Sequence, residues 1–166
     1  MAQPCGTSGS ARYPNARLVA VDTNAHGLQL LLARLPGDAK LTVLARDIFA
    51  SSDDVEAADV VFSVGLIEHS DPEGTARAIR AHFARVKPGG LVILTFPTPT
   101  WLYRMVCGLA EWAGVWAFPD ERPLDLAEVT AEVARYGDLL DVRVNGQTVL
   151  TQGIVSARRR GPGLSI

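Results

Sequence analysis

Hydrophobic residues in this chain fall into short continuous runs separated by stretches of helical periodicity. Arg17 to Asp22 (RLVAVD) predicts a buried strand that ends on a carboxylate. Leu28, Leu31, Leu32 and Leu35 then recur at helical spacing, and Pro36-Gly37 stops that helix. Leu41 to Arg46 (LTVLAR) predicts a second strand beside Asp47, and Asp59 to Gly65 (DVVFSVG) a third, continuously apolar one. A helix follows. Ser70 and Glu73 have capping-box spacing, Asp71 is an alternative cap, and Pro72 suits the first turn. Its inward stripe is Ala76, Ile79, Phe83 and Val86, and Lys87-Pro88-Gly89-Gly90 marks its end.

The fourth strand is LVILTF, closed by Pro97 and Pro99. Asp125 and Glu128 open another helix, with Leu126, Val129 and Val133 facing inward. Asp138 to Val144 and Thr151 to Arg159 follow without a helix between them, and Asn145-Gly146 is a turn signal, so they predict an antiparallel pair. Strands that alternate with helices imply an α/β domain whose mostly parallel sheet is covered on both faces, with the closing hairpin adding an antiparallel strand at an edge. From Arg160 the chain reads as a frayed end.

At 166 residues, with 48% hydrophobic and 20% charged residues, the chain suits one domain spanning residues 1–166 and is neither disordered nor collagen-like. A net charge of -2 argues against a nucleic-acid partner. Two cysteines give no disulfide framework, and the histidines and cysteines show no metal-ligand spacing. The first residues lack a secretion-signal pattern, so the expected setting is cytoplasmic. Trp101 to Phe118 is nearly long enough to span a bilayer, yet Arg104 and Glu111 interrupt it, so it is not read as a transmembrane segment. Its tryptophans lie near one helical face, which suits packing on the sheet, an apolar acceptor, a lipid surface or a partner groove. Pro119 to Pro123 (PDERP) reads as a solvated loop, and Arg158 to Arg160 as a charged tail in preference to a phosphate site.

In an open α/β sheet, ligands bind beyond the carboxyl ends of the strands. The residues there are Asp22 and Thr23, Asp47 and Ile48, Ser63 to His69, and Thr95 to Thr100. Ahead of them lies the small-residue loop Cys5-Gly6-Thr7-Ser8-Gly9, whose backbone can approach a ligand closely. Asp22 is placed to accept hydrogen bonds from a ribose diol, or serves as a cap or turn residue. Asp47 is placed to accept from an exocyclic amine while Ile48 packs on a purine face, or it is a loop aspartate.

In combination, CGTSG, Asp22 after Val21, Asp47 after Arg46, DVVFSVGLIEHSDP and VKPGGLVILTFP resemble class I S-adenosylmethionine-dependent methyltransferases of the small-molecule group. The resemblance implies a Rossmann-like fold, S-adenosylmethionine as cofactor and a small, apolar acceptor. It implies that Gly6, Thr7 and Gly9 approach the methionine part. Asp22 and Thr23 meet the ribose, Asp47 and Ile48 the adenine, and Ser63 and Val64 pass under the cofactor. His69 lies at the mouth, as a base for an oxygen or nitrogen acceptor or as a structural residue of the turn.

The chain departs from that pattern at its start. Pro4 stands for the first glycine of the loop and Ser8 for the third, and only three residues precede Pro4. Against the family's pattern, the expectation is an amino-terminally truncated chain that lacks the first central strand, whose place would be between those ending at Asp22 and Gly65. Two alternatives follow. One is a non-catalytic methyltransferase-fold remnant that acts as an interaction module. The other is a dinucleotide-binding oxidoreductase, which would expect a six-residue glycine motif and a parallel sixth strand.

Overall fold

Asp22 and Ala45 sit opposite one another at the carboxyl ends of two parallel strands. These are β1 (Leu18–Asp22) and β2 (Leu41–Ala45), paired in register from Leu18 against Leu41. The computed structural model describes residues 15–35, 40–50, 55–99, 105, 108, 109, 112, 114, 122–145 and 152–161. They belong to two compact units, residues 1–51 and 52–166.

In the first unit, β1 leads to α1 (Ala25–Arg34) through Asn24, whose extended backbone and side-chain oxygen cap the helix by accepting from Gly27 N (3.0 Å). Only Leu28 of this helix is buried. Leu32, expected to face inward, is half exposed, and the strands expected to be buried are largely exposed or half-buried along their length. The cause is coverage. A parallel pair has two faces and two outer edges, and among the described residues of this unit α1 is the one helix available to it.

The second unit holds β3 (Ala58–Val64), α2 (Pro72–Arg85), β4 (Val86–Pro97), α3 (Leu126–Val133), β5 (Gly137–Asn145) and β6 (Gln152–Arg159). Its sheet runs in the order β3-β4-β6-β5. β3 and β4 are parallel, while β6 is antiparallel to both β4 and β5. The antiparallel strand therefore lies inside the sheet and β5 forms the edge, whereas the sequence placed the hairpin's antiparallel strand at an edge. The expected hairpin pairing itself forms.

Asp71 caps α2 by accepting from Gly74 N at 2.7 Å, and Pro72 occupies the first turn. Val86 is fully buried as expected, but as the first residue of β4 and not the last of the helix. Its backbone is extended (φ -91, ψ 143), and the Lys87-Pro88-Gly89-Gly90 segment runs on inside the strand. The register shifts between Ala58 and Val60 absorb that segment, and Gly89 takes a positive φ of 77 there. Ile79 and Phe83 from α2, Val92, Leu94 and Phe96 from β4, and Val129 and Val133 from α3 form the core. At Gly153, opposite Phe96 in the register, a Cβ would come within 2.8 Å of both the Phe96 ring and the Thr98 methyl, so only glycine allows the strands to meet there.

Among the described residues, β1 pairs with β2 alone and β3 with β4 alone. Each keeps one edge without a described partner, and the residues before Asn15, where the first strand was expected to be lacking, lie outside the described ones.

Candidate functional site

In the first unit, both candidate acids stand at the same end of a parallel pair. Asp22 is the last residue of β1, and its Oδ1 accepts from Asn24 N at 2.8 Å. Asp47 follows β2 by two residues, and its Oδ1 accepts from Phe49 N at 2.8 Å. Ala50 N closes the turn on Asp47 O at 3.0 Å. The turn reading holds for both acids. One oxygen of each carboxylate fixes a local turn, and the second can accept from a ligand. Both side chains are exposed, as is Thr23, whereas Ile48 is half-buried beside them.

In the second unit, β3 ends on Ser63 and Val64. Alternation along the strand turns Val61 and Ser63 inward and leaves Phe62 and Val64 about two-thirds exposed. Ser63 is buried, and its hydroxyl has no hydrogen-bond partner among the described residues. Gly65 then turns the chain with φ +63, donating from its N to Thr95 O at 3.0 Å. Ile67 and Glu68 are buried in the following turn, while His69 is exposed. Gly6, Thr7 and Gly9 lie outside the described residues.

Arg122 is a residue the sequence reading missed, because PDERP looked like a solvated loop. Its guanidinium makes a bidentate pair with Glu128 (3.0 and 2.7 Å), and also donates to Thr75 Oγ1 (3.0 Å) and Ser70 O (3.3 Å). Its backbone N donates to Glu68 O at 3.1 Å, and Thr75 Oγ1 donates to Ile67 O at 2.9 Å. The Glu128 hydrogen bonds raise the Arg122 pKa further above its ordinary range. The turn that presents His69 is thus braced from α2 and α3. An arginine six residues before a glutamate on a capped helix was the one available signal, and it is a weak one.

In the aromatic segment the described residues 105, 108, 109 and 112 are helical. Met105, Leu109 and Trp112 are exposed, Trp112 to 86%. Packing on the sheet, one of the readings from sequence, does not apply to these three. Among the described residues no helix is long and apolar enough to cross a membrane.

A family profile described as "Methyltransferase domain" matches residues 4–94, more than half of the chain. No curated protein matches the chain by sequence. Solved structures are similar in fold. The S-adenosylmethionine-dependent methyltransferase SibL, solved in its apo form, superposes with a TM-score of 0.71 at 18% identity, over 92% of this chain and 46% of its own. The N-methyltransferase NodS from Bradyrhizobium japonicum, solved with S-adenosyl-L-homocysteine, gives 0.65 at 14% identity, over 94% and 74%. A protein from Bordetella parapertussis described as a possible exported protein gives 0.65 at 20% identity, over 87% and 54%. The chain spans about half the length of the first and third of these. The profile match, the α/β architecture and the acids at the strand tips lead to one conclusion: the chain belongs to the methyltransferase-domain family and has the Rossmann-like fold of class I S-adenosylmethionine-dependent methyltransferases.

Proposed function

We propose that this chain binds S-adenosylmethionine at the carboxyl ends of its parallel strands and transfers the methyl group to a small, apolar acceptor. The observation that carries the reading is the pair Asp22 and Asp47, each with one oxygen held by its own turn and one left to accept. The chemistry of these residues fits the cofactor. The Asp22 carboxylate accepts from the ribose diol, with Thr23 beside it, and Asp47 accepts from the adenine amine while Ile48 offers apolar contact. The resemblance assigns Ser63, whose hydroxyl is buried, and the exposed Val64 at the end of β3 to cofactor contact as well. Gly6, Thr7 and Gly9 are assigned to the methionine part on the sequence alone.

When bound, the cofactor supplies an already activated methyl group, so the chain's own contribution is alignment of the acceptor and exclusion of water. His69, exposed on the braced turn, takes the proton from an oxygen or nitrogen acceptor. The exposed Met105, Leu109 and Trp112 favour an acceptor with apolar surface.

Calorimetric titration with S-adenosylmethionine, S-adenosylhomocysteine and NADH tests the reading. The first two bind, NADH does not, and Asp22→Asn weakens both adenosyl ligands by about tenfold or more through loss of a charge-assisted hydrogen bond. Binding of NADH would favour the oxidoreductase, and binding of none the non-catalytic module. An unchanged affinity in Asp22→Asn would remove the assigned role of that residue.

A further inference from the structure

The three consecutive arginines at the end of β6 are not a loose tail. Arg158 Nη1 donates to Gly89 O at 2.9 Å, and Arg159 Nη1 donates to Val86 O. Arg160 holds Asp138 Oδ1 (2.8 Å), Ala134 O (3.0 Å) and Gly137 O (3.0 Å), so the chain is not frayed there. Arg159 is half-buried at the amino-terminal end of β4. There it lines a cavity of about 350 Å³ together with Arg80, Phe83, Ala84, Arg135 and Tyr136. Among the described residues its lining holds three arginines and no acidic residue. A neighbouring cleft of about 540 Å³ shares Arg80, Arg135 and Tyr136 and is also lined by Asp71, Glu73 and Glu132, the last of which binds both Arg135 and Tyr136.

The three cations differ in how much charge they have to spare. Arg135 is paired with Glu132 at 2.9 Å and lies over the Tyr136 ring. Arg159 is held by a carbonyl, which leaves its positive charge unneutralised. Arg80, exposed on α2, makes no ion pair among the described residues. Tyr136 adds an aromatic wall: it stacks on the buried Phe83 with centroids 5.6 Å apart, and its hydroxyl donates to Glu132 at 3.1 Å. That anchoring fixes the ring, with Phe83 stacked on it and the Arg135 guanidinium over it.

We propose that this cavity binds a small phosphomonoester of a planar, apolar alcohol, with the phosphate between Arg80 and Arg159 and the planar group against Tyr136. Guanidinium forks match the oxygens of a tetrahedral phosphate and stay charged at any working pH. A volume near 350 Å³ lies within the range of about 300–1,000 Å³ typical of small-ligand sites. The site sits at the amino-terminal end of β4, whereas Ser63 and Val64 pair with the carboxyl-terminal part of that strand. It therefore stands independently of the methyl-transfer reading.

Calorimetric titration of the whole chain with phenyl phosphate and, separately, inorganic phosphate decides the matter. Apolar contact with the Phe83 and Tyr136 wall makes phenyl phosphate the tighter ligand by roughly fivefold. Arg80→Gln weakens it by about tenfold, the loss expected for one charge-assisted hydrogen bond. Arg143→Gln, on β5 and paired with Asp141 outside the cavity, leaves binding unchanged. Arg159→Gln weakens binding in the same way where circular dichroism shows it folded, and Arg80→Gln carries the test if it is not. Failure of phenyl phosphate to bind at millimolar concentration, or parental affinity in Arg80→Gln, overturns the proposal. Equal affinity for the two probes overturns its aromatic half.

Discussion

β1 and β4 are written in nearly the same alphabet, LVAVD and LVILTFP, yet they have opposite environments. Every residue of β1 is exposed or half-buried. In β4, Val92, Leu94 and Phe96 are at most 1% exposed, and none of residues 91–97 is classed as exposed. The composition of the strand does not make the difference. β4 is paired along both edges, by β3 and β6, and packs against α2, whereas among the described residues β1 is paired along one edge. β3 lies between these extremes, with one edge paired and with Val60, Phe62 and Val64 exposed on one face. Apolar residues become core only when neighbouring elements cover them, so an apolar run declares a capacity for burial and not its fulfilment.

The sharpest way to break this comparison is a matched pair of truncations. Phe96→Ala lowers unfolding stability by about 3–5 kcal/mol, because its ring leaves a cavity among packed neighbours. Val19→Ala, 47% exposed in β1, costs less than about 1 kcal/mol. Denaturant unfolding of the two variants measures both, and equal costs would mean that β1 is buried in solution.

A smaller effect is expected at Gly153, where alanine sets a Cβ within 2.8 Å of the Phe96 ring and Thr98. Overpacking of that kind costs about 1–3 kcal/mol in the same measurement. Tolerance of Gly153→Ala would show that the β4–β6 contact is looser than its register suggests.

The third prediction concerns pH. His82 is buried in α2, and desolvation is the main cause of its lowered pKa. The Ala78 carbonyl, which accepts from Nδ1 at 2.7 Å, opposes the shift, and Arg85 adds to it. The folded chain therefore holds this imidazole neutral at a pH where the unfolded chain takes up a proton. The contribution to stability is complete above the ordinary histidine value of about 6.5 and is lost as pH falls through the lower folded value. Thermal midpoints of the parent chain fall more steeply below neutrality than those of His82→Gln; parallel curves would refute the assignment.

The smallest effect belongs to the rim of the sheet. Lys87 Nζ lies 2.8 Å from Asp59 Oδ1, and this hydrogen bond is the main cause of the lowered Asp59 pKa. Both side chains are at least half exposed, so water and salt screen the pair. Lys87→Met is expected to leave the unfolding midpoint unchanged within error at physiological salt.

The candidate site was legible where its geometry is local. Asp22 and Asp47 could be placed at strand tips because each ends an apolar run, and Asp71 and Asp125 announced the helices they cap. Arg122 was not legible. Its partners Ser70 and Thr75 lie about fifty residues away in sequence, and no periodic pattern encodes a contact of that range. Arg159 was misread for the same reason: a run of arginines looks like a solvated end until a carbonyl at Val86 and the side chains of α2 and α3 are brought to it.

The sequence by itself determined which segments become strands and helices, where the helices start, and which acids stand at the strand ends. These follow from side-chain periodicity and from hydrogen bonds within a few residues. Only the tertiary structure decided which apolar strands are covered, that β6 enters the sheet between β4 and β5, and which arginines converge on a cavity. Those outcomes depend on edges and faces supplied by residues distant along the chain, and a one-dimensional pattern does not carry that information.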